Sequence, residues 1–309
     1  MNIIVIIFAM FDKNGKSDRA IFIEYDKNLQ LEEHGLLRKL FNVLFVPFLN
    51  NLPKNFKHRI KKTDRAASEV IDNVTTHSAL EVLYDKGKAF SKKNILENVF
   101  RYIWFNLGNS KAVRNRLKLV QREIRHYLRS VVNHKKEINI ISIASGSSRA
   151  VIEAINHDEY IRDVKISITF LDKSAHAIEY SKKLSVNITH PHIDLEWIQD
   201  TVGGFFKKQP IKKFDVVEIV GLLDYFDDEK VLDTFTNIYN ILNESGTLIT
   251  ANISHNEEEP FVTRIIDWSM IYRTPHELAL LAEKAGFKYN KMKVFYEPLK
   301  VHGLVVAQK

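Results

Sequence analysis

The sequence predicts an α/β protein with an open, seven-stranded, mostly parallel sheet whose last strand is antiparallel, preceded by a mainly helical N-terminal part. From Lys136 onward, short runs of β-branched apolar residues alternate with helical stretches, the pattern of parallel strands joined by crossover helices. Two further runs lie close together around Pro298, and their short connection favours antiparallel pairing. Residues 30–129 show helical periodicity instead. We therefore predict a helical domain over residues 1–132 and a sheet domain over residues 133–309.

The N-terminal part begins with two β-rich runs and continues as helices. Residues 2–11 and 20–25 flank a turn-prone segment, which predicts a β-hairpin within residues 1–26. Apolar residues then recur at helical spacing in three stretches: Leu36, Leu37, Leu40, Phe41 and Leu44; Ala79, Leu80, Leu83 and Tyr84; and Leu117, Val120, Ile124 and Leu128. Ser78 and Glu81 have the spacing of a capping box at the start of the second stretch.

In the sheet domain, strands and helices follow one another in a regular order. Parallel strands are predicted at 138–143, 166–171, 195–198, 216–220 and 247–253, and the antiparallel pair at 291–296 and 301–307. The connecting helices are predicted to end near residue 155 and to cover 175–184, 228–242 and 275–285. Five parallel strands followed by an antiparallel pair make an open sheet rather than a barrel.

Composition excludes several classes of protein. The chain has 309 residues and no cysteine, which excludes disulfides, thiolate metal sites and cysteine nucleophiles. The longest uncharged apolar run, residues 2–11, is shorter than the roughly 20 residues of a membrane-spanning helix, and no basic residue precedes it as in a signal peptide. We therefore expect neither a membrane span nor export, and a cytoplasmic location.

Charge is distributed unevenly along the chain. Residues 1–132 hold 24 basic and 13 acidic residues, a net charge of +11, and residues 133–309 hold 21 and 25, a net charge of −4. Such asymmetry suggests that the first part meets an anionic partner. Residues 36–62 in particular are amphipathic and basic, which suits either peripheral contact with an anionic membrane or a helix packed on the sheet domain or over the substrate.

The ends of the predicted parallel strands carry the residues most suited to bind a ligand, because open α/β sheets bind ligands outside the carboxyl ends of their strands. The first strand ends in a loop of small residues, 144–148, that enters a helix, so that backbone N–H groups are free to face a ligand. The loop matches neither GxGxxG nor GxxxxGK[ST]. Asp172 ends the second strand, where a carboxylate can accept both hydroxyls of a ribose. Together with Asp200 after the third strand and Val220 to Leu222 after the fourth, these residues suggest an adenosine ligand.

The same residues carry a resemblance to a known family. Residues 140–146, Phe170-Leu171-Asp172, Gln199-Asp200, Phe214 to Val217 and Gly246-Thr247-Leu248 resemble the successive motifs of class I S-adenosylmethionine-dependent methyltransferases, which have a Rossmann-like fold. The terminal antiparallel pair is also characteristic of that fold. One departure is that the usual Gly-x-Gly of the first loop reads Ala144-Ser145-Gly146 here.

A narrower resemblance points to a bacterial group of methyltransferases. Residues 221–226, 251–254 and 267–274 are similar to that group, as are Thr75 to Glu81 and Ala112 to Arg116 in the helical part. Its members include enzymes that make 3-hydroxypalmitic acid methyl ester. This resemblance implies methyl transfer to a small molecule such as a hydroxy fatty acid or another carboxylic acid.

The resemblance assigns residues of this sequence to the cofactor. It implies that Ala144, Ser145, Gly146 and Ser147 hold the methionine end, Asp172 and Lys173 lie on the ribose side, and Asp200 and Thr201 face the adenine. Val220, Gly221 and Leu222 complete the set, with the segment from Gly221 to Tyr225 beside the transferring methyl group.

Further residues are candidates for catalysis and for binding the acceptor. The catalytic candidates are Asp224, Tyr225, Tyr272 and Arg273, of which Arg273 would hold a carboxylate and Asp224 would act as a base for an alcohol, phenol or amine. The candidates for substrate binding are Asn252, Trp268, Arg114 and Arg116. Trp268 and Tyr272 have the i, i+4 spacing of one helix face, which core packing also produces. No metal is predicted. His190, His192 and Asp194 are possible ligands at alternate positions, but they lie in a loop after a helix, and the chain has no cysteine and no HExxH motif.

Three functions therefore stay open. The first is a small-molecule methyltransferase whose helical cap shapes the acceptor pocket. The second keeps the fold but acts on RNA or protein, as the basic first 132 residues suggest, although the [ND]-P-P-[FYW] signature and a cysteine are both missing. The third is a non-catalytic adenosine-binding or scaffold protein, suggested by the unusual first loop.

Overall fold

A computed structural model describes residues 21–90, 95–156, 158–208 and 211–309. In this part of the chain, eight strands form one sheet. The strands are β1 (Phe22–Ile23), β2 (Glu137–Ile143), β3 (Lys165–Asp172), β4 (Ile193–Gln199), β5 (Phe214–Val220), β6 (Leu242–Ile253), β7 (Met292–Tyr296) and β8 (His302–Gln308). The seven predicted strands are all present, and β1 is an addition.

The strand order is β1-β7-β8-β6-β5-β2-β3-β4. Neighbouring strands are parallel except that β8 runs antiparallel to both β6 and β7, as predicted. β1 pairs in parallel with β7, with Phe22 opposite Phe295, so this part of the predicted hairpin extends the edge of the sheet. The other arm, residues 2–11, lies outside the described residues. Because the chain order reverses around β2, the crevice for a ligand opens at the carboxyl ends of β2 and β5.

Helices cover both faces of the sheet and build the N-terminal part. They are α1 (Leu36–Asn50), α2 (Phe56–Thr63), α3 (Arg65–Asp72), α4 (His77–Tyr84), α5 (Ile95–Phe105), α6 (Gly108–Val131), α7 (Arg149–Asn156), α8 (Ala175–Ser185), α9 (Val202–Lys207), α10 (Asp228–Ile241), α11 (Glu259–Arg264) and α12 (Pro275–Lys284). On one face α6 packs with Val120 and Ile124 against Ile140, Val216 and Leu304. On the other face α10 and α12 bury Phe235 and Leu278 against β5, β6 and β8.

The helical part, here called the cap, has a core of its own. Leu49 of α1, Ile60 of α2, Val70 of α3, and Trp104 and Phe105 of α5 pack together with Phe261 and Ile265 of the α11 region. An ion pair is buried beneath α5, where Arg101 contacts Asp64 at 2.5 Å and Glu97 at 3.2 Å. Since α11 follows β6 in the chain, the cap core is closed by an insertion from the sheet domain.

The predicted capping box at Ser78 and Glu81 is wrong. Helix α4 begins at His77, and its N-cap residue Thr76 makes no side-chain capping bond. Glu81 instead accepts hydrogen bonds from Arg149 on α7 and from the Tyr180 hydroxyl, 2.9 Å away, on α8. This carboxylate therefore joins the cap to the sheet domain, a role that depends on residues far away in the sequence.

Candidate active site

A cavity of about 1180 Å³ lies between the carboxyl ends of the strands and the cap. At one end it is lined by the loop after β2, by Asp172 and Lys173 after β3, and by Asp200 and Thr201 after β4. At the other end its wall is apolar and comes mainly from the cap and α11, with Val70, Leu83, Trp104, Val113, Phe261 and Ile266. The space predicted for the cofactor is thus continuous with an apolar chamber.

The loop after β2 turns sharply through three left-handed residues. Ala144, Gly146 and Ser148 have φ angles of 53°, 54° and 61°. The turn is closed by hydrogen bonds from Ser145 N to Leu171 O, 3.0 Å, and from Ser148 N to Ser145 O, 2.7 Å. Ala144 therefore adopts the conformation that glycine would adopt without strain, at a cost of about 1 kcal/mol.

Asp172 is held in place by two backbone donors. Its Oδ2 accepts from Gly146 N at 2.9 Å and its Oδ1 from Ser174 N at 2.8 Å. A carboxylate has about four acceptor positions, so two stay available for the hydroxyls of a ribose. The arrangement fits the role that the resemblance implies for this residue. Lys173, beside it, is exposed.

Asp200 and Thr201 also line the cavity, and each has a local structural role. Thr201 caps α9 by accepting from Gly204 N at 3.0 Å. Asp200 accepts from Thr201 N and from Lys208 Nζ, both at 2.7 Å, and the hydrogen bond from Lys208 lowers the pKa of its carboxyl. Gly204 leaves space for this carboxylate, because a side chain there would begin 2.1 Å from Asp200 Oδ1. Asp200 is therefore a fixed anionic acceptor at the end of the cavity predicted for adenine.

The polar cluster, as we call it, consists of four buried side chains, Arg116, Glu218, Asp224 and His302, and the partly buried Tyr84, all of which line the cavity. Arg116 Nη1 lies 3.9 Å from Asp224 Oδ2, which is longer than a direct hydrogen bond. Asp224 Oδ1 accepts from Ile253 N at 2.8 Å. The guanidinium also lies close to Gly221, since a side chain at residue 221 would begin 3.7 Å from Arg116 Nη2. The cation therefore stands beside the segment predicted to border the methyl group.

Burial shifts the acid–base properties of the polar cluster. It raises the pKa of Glu218, which accepts a hydrogen bond from the Ser142 hydroxyl, to about 7, and it also raises the pKa of Asp224. Burial, reinforced by the charge of Arg116, holds the pKa of His302 well below its ordinary value. Neither ring nitrogen of His302 has a hydrogen-bond partner among the described residues. The ring is thus neutral and open to a ligand.

The cluster forms because one face of the sheet changes from apolar to polar at its carboxyl edge. Ser142 pairs with Glu218, and Ile253 pairs with His302, in the strand register. Alternate residues of a strand share a face, so Ser142, Glu218 and His302 lie on the face that Ile140, Val216 and Leu304 present to α6. Arg116 is on α6 one turn before Val120 and meets them there.

Tyr225 and Trp268 lie together in the cavity wall. The Trp268 indole N–H donates to the Tyr225 hydroxyl at 2.7 Å, and burial raises the pKa of Tyr225 to about 12. Both residues were predicted to serve the acceptor, and both line the cavity. The segment that contains Trp268 and Tyr272 is not helical, so the two side chains do not share a helix face.

Four predicted site residues do not line this cavity in the described structure: Arg114, Asn252, Tyr272 and Arg273. Arg273 is buried and donates to Asp228 Oδ1 at 2.8 Å, to Leu223 O and Phe226 O, and to Asn252 Oδ1 at 3.1 Å. These hydrogen bonds join the turn after β5 to the end of β6. The predicted role of Arg273 in binding an acceptor carboxylate is therefore not supported. The Asn252 amide is used in the same network, donating to Ile271 O at 2.8 Å.

Arg114 and Tyr272 also have structural contacts. Arg114 donates to Glu32 Oε1 at 2.6 Å and to Phe105 O at 2.7 Å, inside the cap. The Tyr272 ring stacks on His255 at 5.2 Å, and its hydroxyl lies 3.3 Å from Thr263 Oγ1. Arg116 is therefore the predicted arginine that the fold brings to the cavity.

The lining residues that the sequence did not predict include Tyr84, Glu218 and His302 of the polar cluster, and His77. His77 begins α4, and its Cβ would lie 3.3 Å from a side-chain atom added at Gly146, so it packs on the loop after β2. Its Nε2 has no hydrogen-bond partner in the described part of the chain. The signal for His77 was the resemblance over Thr75 to Glu81. His302 gave no such signal, because it begins β8, and ligands of an open α/β sheet are expected at the carboxyl ends of its parallel strands.

The family model described as "Putative methyltransferase" matches residues 78–308. The chain belongs to this family. The match includes α4 to α6 of the cap as well as the whole run from β2 to β8. Methyl transfer is thus the activity of the chain, and it is an enzyme.

Solved structures are similar in fold. A possible exported protein from Bordetella parapertussis is 16% identical with a TM-score of 0.60, over 79% of this chain and 86% of that one. The carbon methyltransferase CurJ is 10% identical with a TM-score of 0.53, over 81% of this chain and 68% of that one. At these identities the likeness concerns the fold alone. No curated protein matches the chain.

None of the described helices is long and apolar enough to span a bilayer. No group of three or more His, Asp or Glu side chains is placed to hold a metal ion in the described ranges.

Proposed function

We propose that this methyltransferase transfers the methyl group of S-adenosylmethionine to an oxygen of a small apolar acceptor that carries a carboxylate, such as a hydroxy fatty acid. One observation carries the proposal. The cavity runs from the loop after β2 into an apolar chamber, and the Arg116 guanidinium stands at their junction, beside Gly221.

S-adenosylmethionine is the cofactor, and it supplies a methyl carbon made electrophilic by the adjacent sulfonium. The loop after β2 offers a tight turn of small residues, and Asp172 keeps free acceptor positions. Asp200 offers a fixed carboxylate at the third strand end. These features fit an adenosine group lying across the carboxyl edge of the sheet.

The apolar chamber defines the kind of acceptor. A lining of Val70, Leu83, Trp104 and Ile266 favours burial of a hydrocarbon part. Arg116 provides the planar, permanently charged donor that binds a carboxylate through two parallel hydrogen bonds. A mainly apolar cavity of this kind suits a small molecule better than an RNA strand, which needs a cationic groove and stacking surfaces.

The polar cluster also suits a carboxylate nucleophile. A carboxylate oxygen is already anionic, so its attack on the methyl carbon breaks the carbon–sulfur bond without transfer of a proton, and an ester and a neutral thioether result. Because burial raises the pKa values of Glu218 and Asp224, their charges oppose an acceptor carboxylate less than ordinary carboxylates would. His302 offers a neutral ring to a second polar group of the acceptor, such as a hydroxyl.

Two measurements test the proposal in sequence. Calorimetric titration with S-adenosylmethionine and S-adenosylhomocysteine, with NAD and ATP as controls, should show binding of the first pair alone. Incubation with methyl-labelled S-adenosylmethionine and fatty acids, 3-hydroxy fatty acids and the corresponding alcohols should then label the acids as methyl esters. If the cofactor binds but RNA or protein is labelled instead of the acids, the proposed acceptor is wrong. Absence of cofactor binding would favour a scaffold.

A further inference from the structure

Helix α1 has an unusual distribution of its side chains. Leu36, Leu37 and Leu44 are 81%, 84% and 80% exposed, and Leu40, Phe41, Val43 and Phe48 are exposed as well. On the side that packs on the rest of the cap, Asn42 is only 7% exposed, and its Oδ1 has no hydrogen-bond partner among the described residues. Val46 and Leu49 are buried on the same side, so the helix is mainly apolar on its inner side and carries a second, larger apolar surface outward, where an ordinary surface helix is polar.

Helix α5 repeats this arrangement. Ile95 and Leu96 are 79% and 78% exposed, while Glu97 and Arg101 are each 3% exposed. Both helices contact Phe261, whose N–H donates to Asn50 Oδ1 on α1 and whose ring lies 6.3 Å from that of Trp104 on α5. Of the 16 large apolar side chains exposed in the described part of the chain, 11 belong to α1 and α5. Such a concentration marks an interaction surface rather than scattered exposure.

The charge of the same segment identifies its partner. Residues 34–63 contain seven Lys and Arg and no Asp or Glu. Two of these cations are paired, Lys57 with Asp267 and Lys61 with Asp72. Lys39, Lys54, Arg59 and Lys62 are exposed. An apolar helix surface followed by exposed cations is the pattern that binds an anionic lipid surface.

A second copy of the chain is a poorer partner for this surface. In a two-fold symmetric dimer the same patch contacts itself, so a segment with four exposed cations, Lys39, Lys54, Arg59 and Lys62, and no acidic residue would face an identical segment. Like charges in such a contact repel one another. An anionic bilayer offers both the apolar environment that Leu37 and Leu44 require and the opposite charge.

We propose that the outer face of α1 docks the cap on an anionic membrane surface, with the cations of α1 and α2 at the lipid headgroups. This contact is peripheral, since the apolar side chains reach only the boundary between headgroups and acyl chains. The proposal does not depend on the acceptor proposed above. It rests on the outer surface of α1, which is a different part of the chain from the polar cluster and would have a different function.

Flotation of the full-length protein with vesicles tests the proposal. We expect binding to vesicles of phosphatidylcholine and phosphatidylglycerol in equal parts, weak binding to phosphatidylcholine alone, and weaker binding to the anionic vesicles as salt is raised. The double variant Leu37→Asp/Leu44→Asp should lose more than about tenfold in vesicle affinity. Arg59→Gln and Lys62→Gln should each cost about fivefold, and only with the anionic vesicles.

A matched control is available on the sheet domain. Val186 and Ile211 are 81% and 93% exposed, so Val186→Asp/Ile211→Asp makes the same chemical change elsewhere and should leave vesicle binding unchanged. Failure of the natural protein to float with anionic vesicles would overturn the proposal. So would equal flotation of the two double variants. Sedimentation showing a dimer that Leu37→Asp/Leu44→Asp dissociates, without flotation of the natural protein, would identify a second copy as the partner instead.

Discussion

Arg116 of α6 and Asp224 of the turn after β5 lie side by side in the cavity wall, with Arg116 Nη1 3.9 Å from Asp224 Oδ2. The two residues are far apart in sequence, and they meet where the apolar chamber of the cap joins the crevice above the sheet. Removal of either side chain therefore tests the acceptor site without touching the loop after β2.

Arg116→Gln should separate binding of the acceptor from binding of the cofactor. Loss of a charge-assisted pair of hydrogen bonds should lower kcat/KM for a carboxylic acid acceptor by about a hundredfold. The calorimetric Kd for S-adenosylmethionine should change little. Arg116→Lys, which keeps the charge but not the planar fork, should recover part of the loss. Equal loss for an uncharged acceptor would contradict a role in carboxylate binding.

Asp172→Ala should weaken S-adenosylmethionine binding by about 1.5–3 kcal/mol for each charged hydrogen bond lost. The same change removes the acceptor for Gly146 N, so some loss of stability is expected as well. Titration calorimetry below the unfolding transition measures the first effect, and thermal unfolding measures the second. Unchanged affinity in the folded variant would remove Asp172 from the cofactor site.

Ala144→Gly should stabilise the protein by about 0.5–1 kcal/mol, because a left-handed φ of 53° strains alanine and not glycine. Denaturant unfolding of the two proteins measures the difference. Ala279→Gly in the middle of α12 is the matched control, and it should destabilise by about 1 kcal/mol or more. If both variants are destabilised alike, the strain at Ala144 is negligible.

Glu218 should lower the stability of the protein as pH rises towards 7. Its pKa is raised from 4.5 to about 7 in the folded state, so the folded state binds the proton more tightly than the unfolded state. The cost of ionising it is absent below about pH 4.5 and grows as pH rises towards 7, by about 1.4 kcal/mol for each pH unit at most.

Glu218→Gln should remove this cost, so that the free energy of unfolding falls less between pH 5 and 7 than in the natural protein. The free energy is obtained from denaturant unfolding at several pH values. Glu196→Gln, an exposed glutamate on β4, is the control and should leave the profile as it is. A profile for Glu218→Gln that matches the natural protein would show that Glu218 ionises normally.

Arg273→Gln should act on stability and not on acceptor binding. Its guanidinium holds Leu223 O, Phe226 O and Asn252 in a buried network, so the loss should cost about 2–4 kcal/mol. Thermal unfolding measures this cost, and KM for the acceptor should be unchanged at a temperature where the variant is folded. A rise in KM with normal stability would return Arg273 to the acceptor site.

The strand pattern of the sheet domain could be predicted because it is local. Apolar β-branched runs gave β2, β3, β5 and β6 to within a few residues, and small residues after β2 predicted the turn that Ala144 and Gly146 make. Parallel strands place their carboxyl ends at one edge, so Asp172, Asp200 and Gly221 had to approach each other once the strands were known.

The acceptor side depends on long-range packing, which local patterns do not contain. Arg114 and Arg116 are two residues apart on α6, and a helix turns about 200° over that distance, so one enters the cap core while the other enters the cavity. His302 reaches the same edge because β8 runs antiparallel, which brings the start of that strand beside the ends of the others. Which side of α6 faces the sheet, and which strand lies beside β6, are properties of the assembled fold, and they select Arg116 and His302 among the many polar residues of this chain.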